Sequence, residues 1–358
     1  MGASEKDGLL PREMILRELR ALAASSVPGT RMPSENAVAA RFKTARMTAY
    51  WAFRRLAEEG LIERRRGSGT FVKGMRTVTF LLPAPDFIAR KGHNEGIARE
   101  QLAGVLRAAC ELNLRVETLV GSPVNDPNRL DYGRLEQLSS GSMVVVSPWY
   151  ANCFPMLSEH RVRTALLSNQ SRIHGYEGCT RDWFRLEADR ERALGRMAEM
   201  LYKAGCRKFA AASAHISVKE PRSGCIYQRA LSEYCDATLC RVKLPASGFA
   251  SSREERAALR AVLEEAYGRW RFDALILDTS AVIFGTDIHE FCGLPRSVRI
   301  FGINLLSEQL DLEEPFACCR APYEKMGYEA VHLLAHSARG GVRRQYDYIF
   351  QHTESLNR

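Results

Sequence analysis

The sequence predicts an α/β protein in two parts, an N-terminal winged helix-turn-helix domain followed by a larger two-lobed domain built on parallel sheets. Three observations predict it. Residues 33–72 read as two short helices joined by a three-residue break and followed by a glycine-rich basic hairpin. Residues 1–76 hold fifteen Lys and Arg against eight Asp and Glu, whereas the other 282 residues carry little of the overall +9. From residue 77 onward, short β-branched or apolar runs alternate with helix-length amphipathic segments, the pattern of βαβ units. The boundaries expected are 1–73 for the first domain, 74–76 for a linker and 77–358 for the second.

The first domain opens with residues 12–24, where Ile15, Leu16, Leu19 and Leu22 form an apolar helical stripe expected to close a small core. Pro28-Gly29 turns the chain toward Pro33-Ser34. Ser34 is the candidate helix cap, and Glu35 adds negative charge to the first turn. After Phe42, the break Lys43-Thr44-Ala45 leads to a second helix that stops at Gly60, a residue suited to the left-handed conformation. Ala49, Ala52, Phe53 and Leu56 recur at i, i+3, i+4 and i+7, so they face a core. Arg46, Met47, Tyr50 and Arg54 then face outward, where a recognition helix meets a major groove. Residues 61–65 and 70–73 are two expected strands, joined through Arg66, Gly67, Ser68 and Gly69 into a wing able to approach a backbone closely.

The second domain is expected to contain strands at 77–82, 115–120, 142–146, 163–167, 208–212, 238–244, 274–277, 299–303 and 345–351. Helices are expected at 96–112, 130–138, 189–204, 223–234, 252–267, 281–291 and 323–338, and a long irregular stretch runs to about residue 185. Some 280 residues of this kind exceed one core and should split into two lobes. A ligand would then bind between them at the carboxyl ends of the strands.

Composition excludes several classes. No run of eighteen apolar residues occurs, and residues 1–10 lack the charged start and apolar core of a signal peptide, so a membrane or secreted protein is not expected and the cytoplasm is. The ten cysteines form no C-x-x-C pair and none precedes Cys110; reduced, mostly buried thiols are expected, with no metal site and no cofactor. His332 and His336 lie four apart, but Leu333 follows His332, so the H-E-x-x-H metalloprotease pattern is absent.

Residues 33–72 resemble the winged helix-turn-helix of the GntR family of bacterial transcription regulators. Pro33-Ser34-Glu35, Ala39 with Phe42, Arg46 with Thr48, and Leu56 through Gly60-Leu61-Ile62, Arg64, Gly67, Gly69-Thr70-Phe71-Val72 stand where that pattern expects them. The resemblance implies double-stranded DNA as partner, read by Ser34, Glu35, Asn36, Arg46, Met47, Thr48, Tyr50 and Arg54 with the wing at Arg66, Gly67, Ser68 and Gly69. The family often has Arg, Ser and Arg where this chain has Asn36, Ala45 and Tyr50, which implies a DNA sequence of its own. Residues 189–210, 222–231, 272–281, 298–304 and 320–330 are similar to the effector domain of LacI/GalR regulators, a periplasmic-binding-protein-like (type I) fold. The order of the two parts is similar to that of arabinose repressors.

That second resemblance implies a sugar-like effector held by Arg222 and Asp278, a five-donor cation opposite a carboxylate that suits a polyol. The alternative for this pair is an ion pair at the hinge. Asn304 replaces the family's usual Asp and is assigned to the hinge or the ligand. Phe87, Trp149 and Tyr150, after two of the strands, are candidates for an aromatic wall, with plain core as the alternative. Together these features imply a non-enzymatic homodimeric regulator, a repressor relieved by ligand. Two other classes are weighed beside it: a pyridoxal-phosphate domain fused to the DNA-binding module, for which residues 77–358 offer no lysine in a suitable setting, and a solute-binding protein, for which the signal peptide is missing.

Overall fold

The computed structural model describes residues 11–26, 29–73, 76–85, 87, 93–139, 142–168, 175–216, 226–234, 239–245, 251–337 and 340–357. The chain forms two compact units, residues 1–78 with 109–116, and residues 79–108 with 117–358.

The smaller unit contains α1 (Pro11–Ser25), α2 (Glu35–Arg41), α3 (Arg46–Glu58), β1 (Ile62–Arg65) and β2 (Gly69–Val72). Ser34 caps α2, its hydroxyl accepting the Ala37 N–H at 3.1 Å. At the end of α3, Gly60 takes φ +72°, its N–H donates to Ala57 O, and the Leu61 N–H donates to Leu56 O. These paired bonds satisfy the last carbonyls of α3 and turn the chain into the wing. The predicted stripe Ala49, Ala52, Phe53 and Leu56 is fully buried, packed with Ile15, Leu19, Val38, Ile62 and Val72. Burying each large member stabilises the unit by about 2 kcal/mol. Leu22, expected in this core, is exposed instead, and Ala23 is buried. The inward stripe of α1 therefore runs 15, 19, 23, with Leu22 rotated a step out of it.

From residue 77 onward, β3 (Thr77–Leu82), β4 (Arg115–Val120), β5 (Met143–Val146), β6 (Arg163–Ser168), β7 (Phe184–Ala188) and β15 (Arg343–Tyr346) form one sheet, ordered β15-β7-β6-β5-β3-β4. A second sheet, ordered β16-β14-β12-β10-β8-β9, contains β8 (Phe209–Ser213), β9 (Cys240–Lys243), β10 (Ala274–Asp278), β12 (Arg299–Ile303), β14 (Cys318–Arg320) and β16 (Ile349–Gln351). Parallel pairing links β15, β7, β6 and β5 in the first, and β14, β12, β10, β8 and β9 in the second, where β16 is antiparallel. A small parallel pair, β11 (Ile283–Gly285) with β13 (Leu310–Leu312), flanks them. The helices of this part of the chain are α4 (His93–Glu111), α5 (Tyr132–Leu135), α6 (Phe154–Glu159), α7 (Arg190–Lys203), α8 (Ile226–Leu231), α9 (Ser252–Trp270), α10 (Ile288–Cys292) and α11 (Tyr323–His336). Strands β5 and β10 are buried along their whole length, as strands covered on both faces must be.

Several elements depart from the sequence expectation: α6, β13 and β14 have no counterpart in it, and three further departures have a local physical reason. No strand is expected at β7, which begins at the end of the stretch read as irregular, because Arg185 and Glu187 interrupt its apolar pattern. Glu187 is nonetheless buried, neutralised by Arg343 of the adjacent β15 at 2.6 Å. The helix expected at 281–291 is a short strand and a short helix, divided by Gly285 (φ +119°) and by Asp287, whose carboxylate caps α10 through the Glu290 N–H at 2.8 Å. The single strand expected at 345–351 is two strands in different sheets, with Asp347 and Tyr348 crossing between the lobes.

The chain passes between lobes three times: from β7 into α7 and β8, from β14 through α11 into β15, and from β15 to β16. Two of these segments are tied together, the Asp189 N–H donating to Tyr346 O at 2.9 Å and Arg192 pairing with Asp347 at 3.1 Å. Helix α11 follows a strand of the second sheet yet packs on β5, β6 and β7 of the first. Arg163 secures its end by donating to the carbonyls of Leu333, Leu334 and Ser337. Where α11 meets α4, a Cβ on Gly104 would stand 1.9 Å from Glu324 O, and one on Gly327 would stand 2.0 Å from Gln101 O. Only glycine permits that backbone approach.

Candidate nucleic-acid interface and interlobe site

In the smaller unit, α3 presents Arg46, Met47, Tyr50 and Arg54 on its exposed side, Met47 at 70% exposure, while Thr48 is half-buried. Ala45 begins α3 with no side-chain cap, which leaves the first N–H groups of the helix for solvent or a phosphate oxygen. Asn36 is exposed on α2. Arg54 is engaged with Glu58 one turn on, at 2.9 Å. Glu35 does more than favour its own helix: Oε1 accepts from Arg64 at 2.8 Å, and Oε2 faces Arg46 Nε at 3.4 Å. The Arg64 guanidinium also lies over the Tyr50 ring, 5.0 Å from its centroid. Arg66, Gly67, Ser68 and Gly69 form the exposed wing tip, where Gly67 (φ +75°) and Gly69 (φ +115°) adopt backbone conformations that favour glycine.

In the larger unit, polar residues converge at the carboxyl ends of three neighbouring strands: Ser213 ends β8, Asp278 ends β10 and Asn304 follows β12. Asp278 Oδ2 accepts from Tyr227 Oη at 2.6 Å, from Ser213 Oγ at 3.1 Å and from Arg190. Arg190 stands on the first crossing segment, and its side chain and that of Asp278 are 15% and 10% exposed. Burial alone would lower the Arg190 pKa; Asp278, together with the surrounding Tyr227, Tyr348 and Tyr323, reverses this and holds the guanidinium charged. Tyr227 is pushed well above the ordinary phenol range by burial and then by Asp278. Asn304 has φ +61°, a conformation Asn tolerates better than most residues, and accepts from Tyr348 Oη at 2.7 Å. Tyr348 belongs to the last crossing segment, and burial raises its pKa strongly.

Arg222, expected opposite Asp278, lies outside the described residues, as do residues 169–174 of the loop expected to border the cleft. Among the described residues, Arg190 is a cation set against Asp278. Phe87 is buried beyond β3, and Trp149 is half-buried. Tyr150 is not an accessible aromatic surface. Its ring is fully enclosed, and its hydroxyl takes the Gly121 N–H at 2.9 Å and donates to Leu82 O, pinning the ends of β3 and β4. The two bonds satisfy a phenol that the surrounding core would otherwise strand.

Sequence reasoning passed over Arg64, Arg190, Ser213, Tyr227 and Tyr348. For Ser213 a signal was present: it is the first polar residue after an apolar strand run, as Asp278 and Asn304 are. Arg190, Tyr227 and Tyr348 come from a helix start, a short helix and a crossing segment, and nothing local links them.

Among the described cysteines, Cys153, Cys206, Cys240, Cys292, Cys318 and Cys319 are buried free thiols. Burial pushes Cys153 up to about 12 and Cys206 up to about 11, which makes them unreactive. No group of three His, Cys, Asp or Glu among the described residues could hold a metal ion, and no helix there is long and apolar enough to cross a membrane.

Residues 11–72 match the family model described as bacterial regulatory proteins, gntR family. The first domain is a gntR-type DNA-binding module. Solved structures are similar to the chain over most of its length. One, a transcriptional regulator CelR–cellobiose complex, is 16% identical with a TM-score of 0.52, covering 89% of this chain and 98% of its own. The lac repressor dimer bound to operator and the anti-inducer ONPF is 11% identical with a TM-score of 0.51, covering 94% and 93%. The LacI family transcriptional regulator CCPA from Weissella paramesenteroides, with bound sucrose, is 11% identical with a TM-score of 0.52, covering 77% and 97%. At these identities the likeness is one of fold, and it places the gntR-type module ahead of a two-lobed LacI-type fold.

Proposed function

We propose that this protein is a sequence-specific DNA-binding transcription regulator, a repressor whose operator affinity is set by a small polyol-like effector between its lobes. Residues 1–73 serve as the DNA-binding domain, 74–76 as a linker and 77–358 as the effector domain. The single observation that carries the reading is the gntR-family match of residues 11–72. The exposed arginines of α3 and the wing give that module its phosphate attraction. Sugar complexes among the similar folds support the effector class. The strand-end cluster of Ser213, Asp278 and Asn304, beside Arg190, Tyr227 and Tyr348, supplies the mixed donors and acceptors that hydroxyl groups require.

Effector binding favours one arrangement of the lobes, and the three crossing segments carry that preference to the rest of the molecule; the response equals the difference in ligand affinity between the two arrangements. The protein acts as a homodimer in the cytoplasm, because one recognition helix makes few base contacts and pairing two reads two half-sites. No catalytic step is assigned to it.

A thermal-shift panel of sugars and sugar acids tests the effector site, since a ligand that binds only the folded state raises Tm with ln(1 + [L]/Kd). A shift that is lost in Asp278→Asn supports the site, and no shift across the panel overturns a sugar effector. Selection of duplexes from a randomised library tests the DNA-binding half separately.

A further inference from the structure

Along a strand, side chains alternate between the two faces. In β1, Ile62 is buried in the small core, so Arg64, two residues on, leaves the strand on the same side as Ile62. Arg65 leaves on the opposite side and lies over Phe71, 4.8 Å from the ring centroid. Arg64 therefore reaches α3, where its guanidinium meets the face of Tyr50, and it reaches α2, where Nη2 donates to Glu35 at 2.8 Å. The second oxygen of Glu35 faces Arg46.

Three elements thus build one surface unit, with two guanidinium groups sharing one carboxylate. A single Glu cannot neutralise both, and each guanidinium carries five N–H donors, so the unit keeps a net positive charge and donors to spare. Tyr50 contributes a π face that attracts a cation without bonding away its N–H groups. It stands one turn along α3 from Arg46, at i+4, on the same exposed side of the helix. A guanidinium serving only to join the wing to the helices would need neither the ring nor a carboxylate shared with an exposed arginine.

We propose that Arg64 is a DNA-contacting residue, which brings a wing guanidinium to the duplex beside Arg46, and that Tyr50 and Glu35 are the residues that position it. The proposal rests on the DNA-binding reading above and extends it from α3 to the inner side of the wing strand.

The test uses the full-length protein, a duplex enriched by the wild type from a randomised library, and a random-sequence pool of equal length, titrated at several salt concentrations. Arg64→Ala is expected to weaken binding to the enriched duplex roughly tenfold to a hundredfold, in the range for a well-held arginine contact. Loss confined to the enriched duplex places Arg64 on a base edge; a uniform loss, with the salt slope smaller by about one, places it on a phosphate. Arg64→Lys, which keeps the charge but lacks the fork, falls between. Tyr50→Phe retains wild-type binding, because the ring face is preserved, whereas Tyr50→Leu loses part of it. Arg64→Ala with wild-type affinity, slope and selectivity, at an unchanged thermal melt, overturns the proposal while leaving the DNA-binding reading intact. Should the wild type enrich no duplex and bind neither pool, the DNA-binding reading itself fails.

Discussion

The two arginine-bearing sites of the molecule are built on opposite electrostatic plans. On the proposed DNA-binding face, Arg46 and Arg64 are exposed and share Glu35 between them. At the interlobe cluster, Arg190 is largely enclosed and faces one carboxylate, which is itself held by Tyr227 and Ser213. An exposed, under-compensated cation costs little and waits for an external anion. An enclosed one must be neutralised from within, because desolvation leaves it no other partner. The same residue type is therefore left available to an external anion in one place and bound into the crossing segments in the other.

Removing the inner carboxylate should have the largest effect. Asp278→Ala strands a buried guanidinium, and its cost is expected at about 3–5 kcal/mol of unfolding free energy in a denaturant melt. A loss under 1 kcal/mol would erase the contrast between the sites. On the outer face, Arg46→Ala should weaken operator binding by about 1–3 kcal/mol at fixed salt if it holds a guanine bidentately, with the melt unmoved. Unchanged affinity removes Arg46 from the interface. Ser34→Ala, which deletes only the α2 cap, should cost about 1 kcal/mol of stability. Glu35→Ala should cost no more than about 1 kcal/mol, as exposed pairs do, and a larger value would make the outer site structural as well.

The smallest effect concerns the pair between Glu100 on α4 and Arg320 on β14, where one Arg320 nitrogen contacts both carboxylate oxygens at 2.8 and 2.9 Å. Burial raises the Glu100 pKa, and Arg320 pulls it back only in part. A carboxyl with a raised folded-state pKa binds more proton when folded, so its contribution favours folding at acid pH and is lost as pH rises through that pKa. Glu100→Gln removes this titration. The stability difference, variant minus wild type, should therefore grow from below the ordinary Glu range toward neutral pH, and a difference curve of opposite slope would contradict the assignment.

Much of the small unit was legible in the chain because its signals are local. Ser34 as a cap, Gly60 as a left-handed stop and the stripe from Ala49 to Leu56 each follow from a few neighbouring residues and the period of a helix. Leu22 shows the limit, since where Leu and Ala alternate the apolar pattern leaves the helical stripe uncertain by one residue. In the larger unit, the apolar runs of β5, β10 and β12 were readable, and with them Asp278 and Asn304 at strand ends. β7 was not, because a buried Glu looks like a loop residue until Arg343, more than 150 positions away, is brought beside it.

By itself the sequence determined which segments are helices and strands over most of the chain, where the positive charge gathers, and that a gntR-type helix pair with its wing leads a two-lobed α/β domain. Only the tertiary structure decided which residues meet. It set Arg190 against Asp278, enclosed Tyr150, divided residues 343–351 between two sheets, and folded Arg64 of the wing onto Tyr50 and Glu35. The reason is physical: period and capping act within a few residues of the chain, whereas neutralising a buried charge or stacking a cation on a ring depends on distances that exist only after the elements have packed.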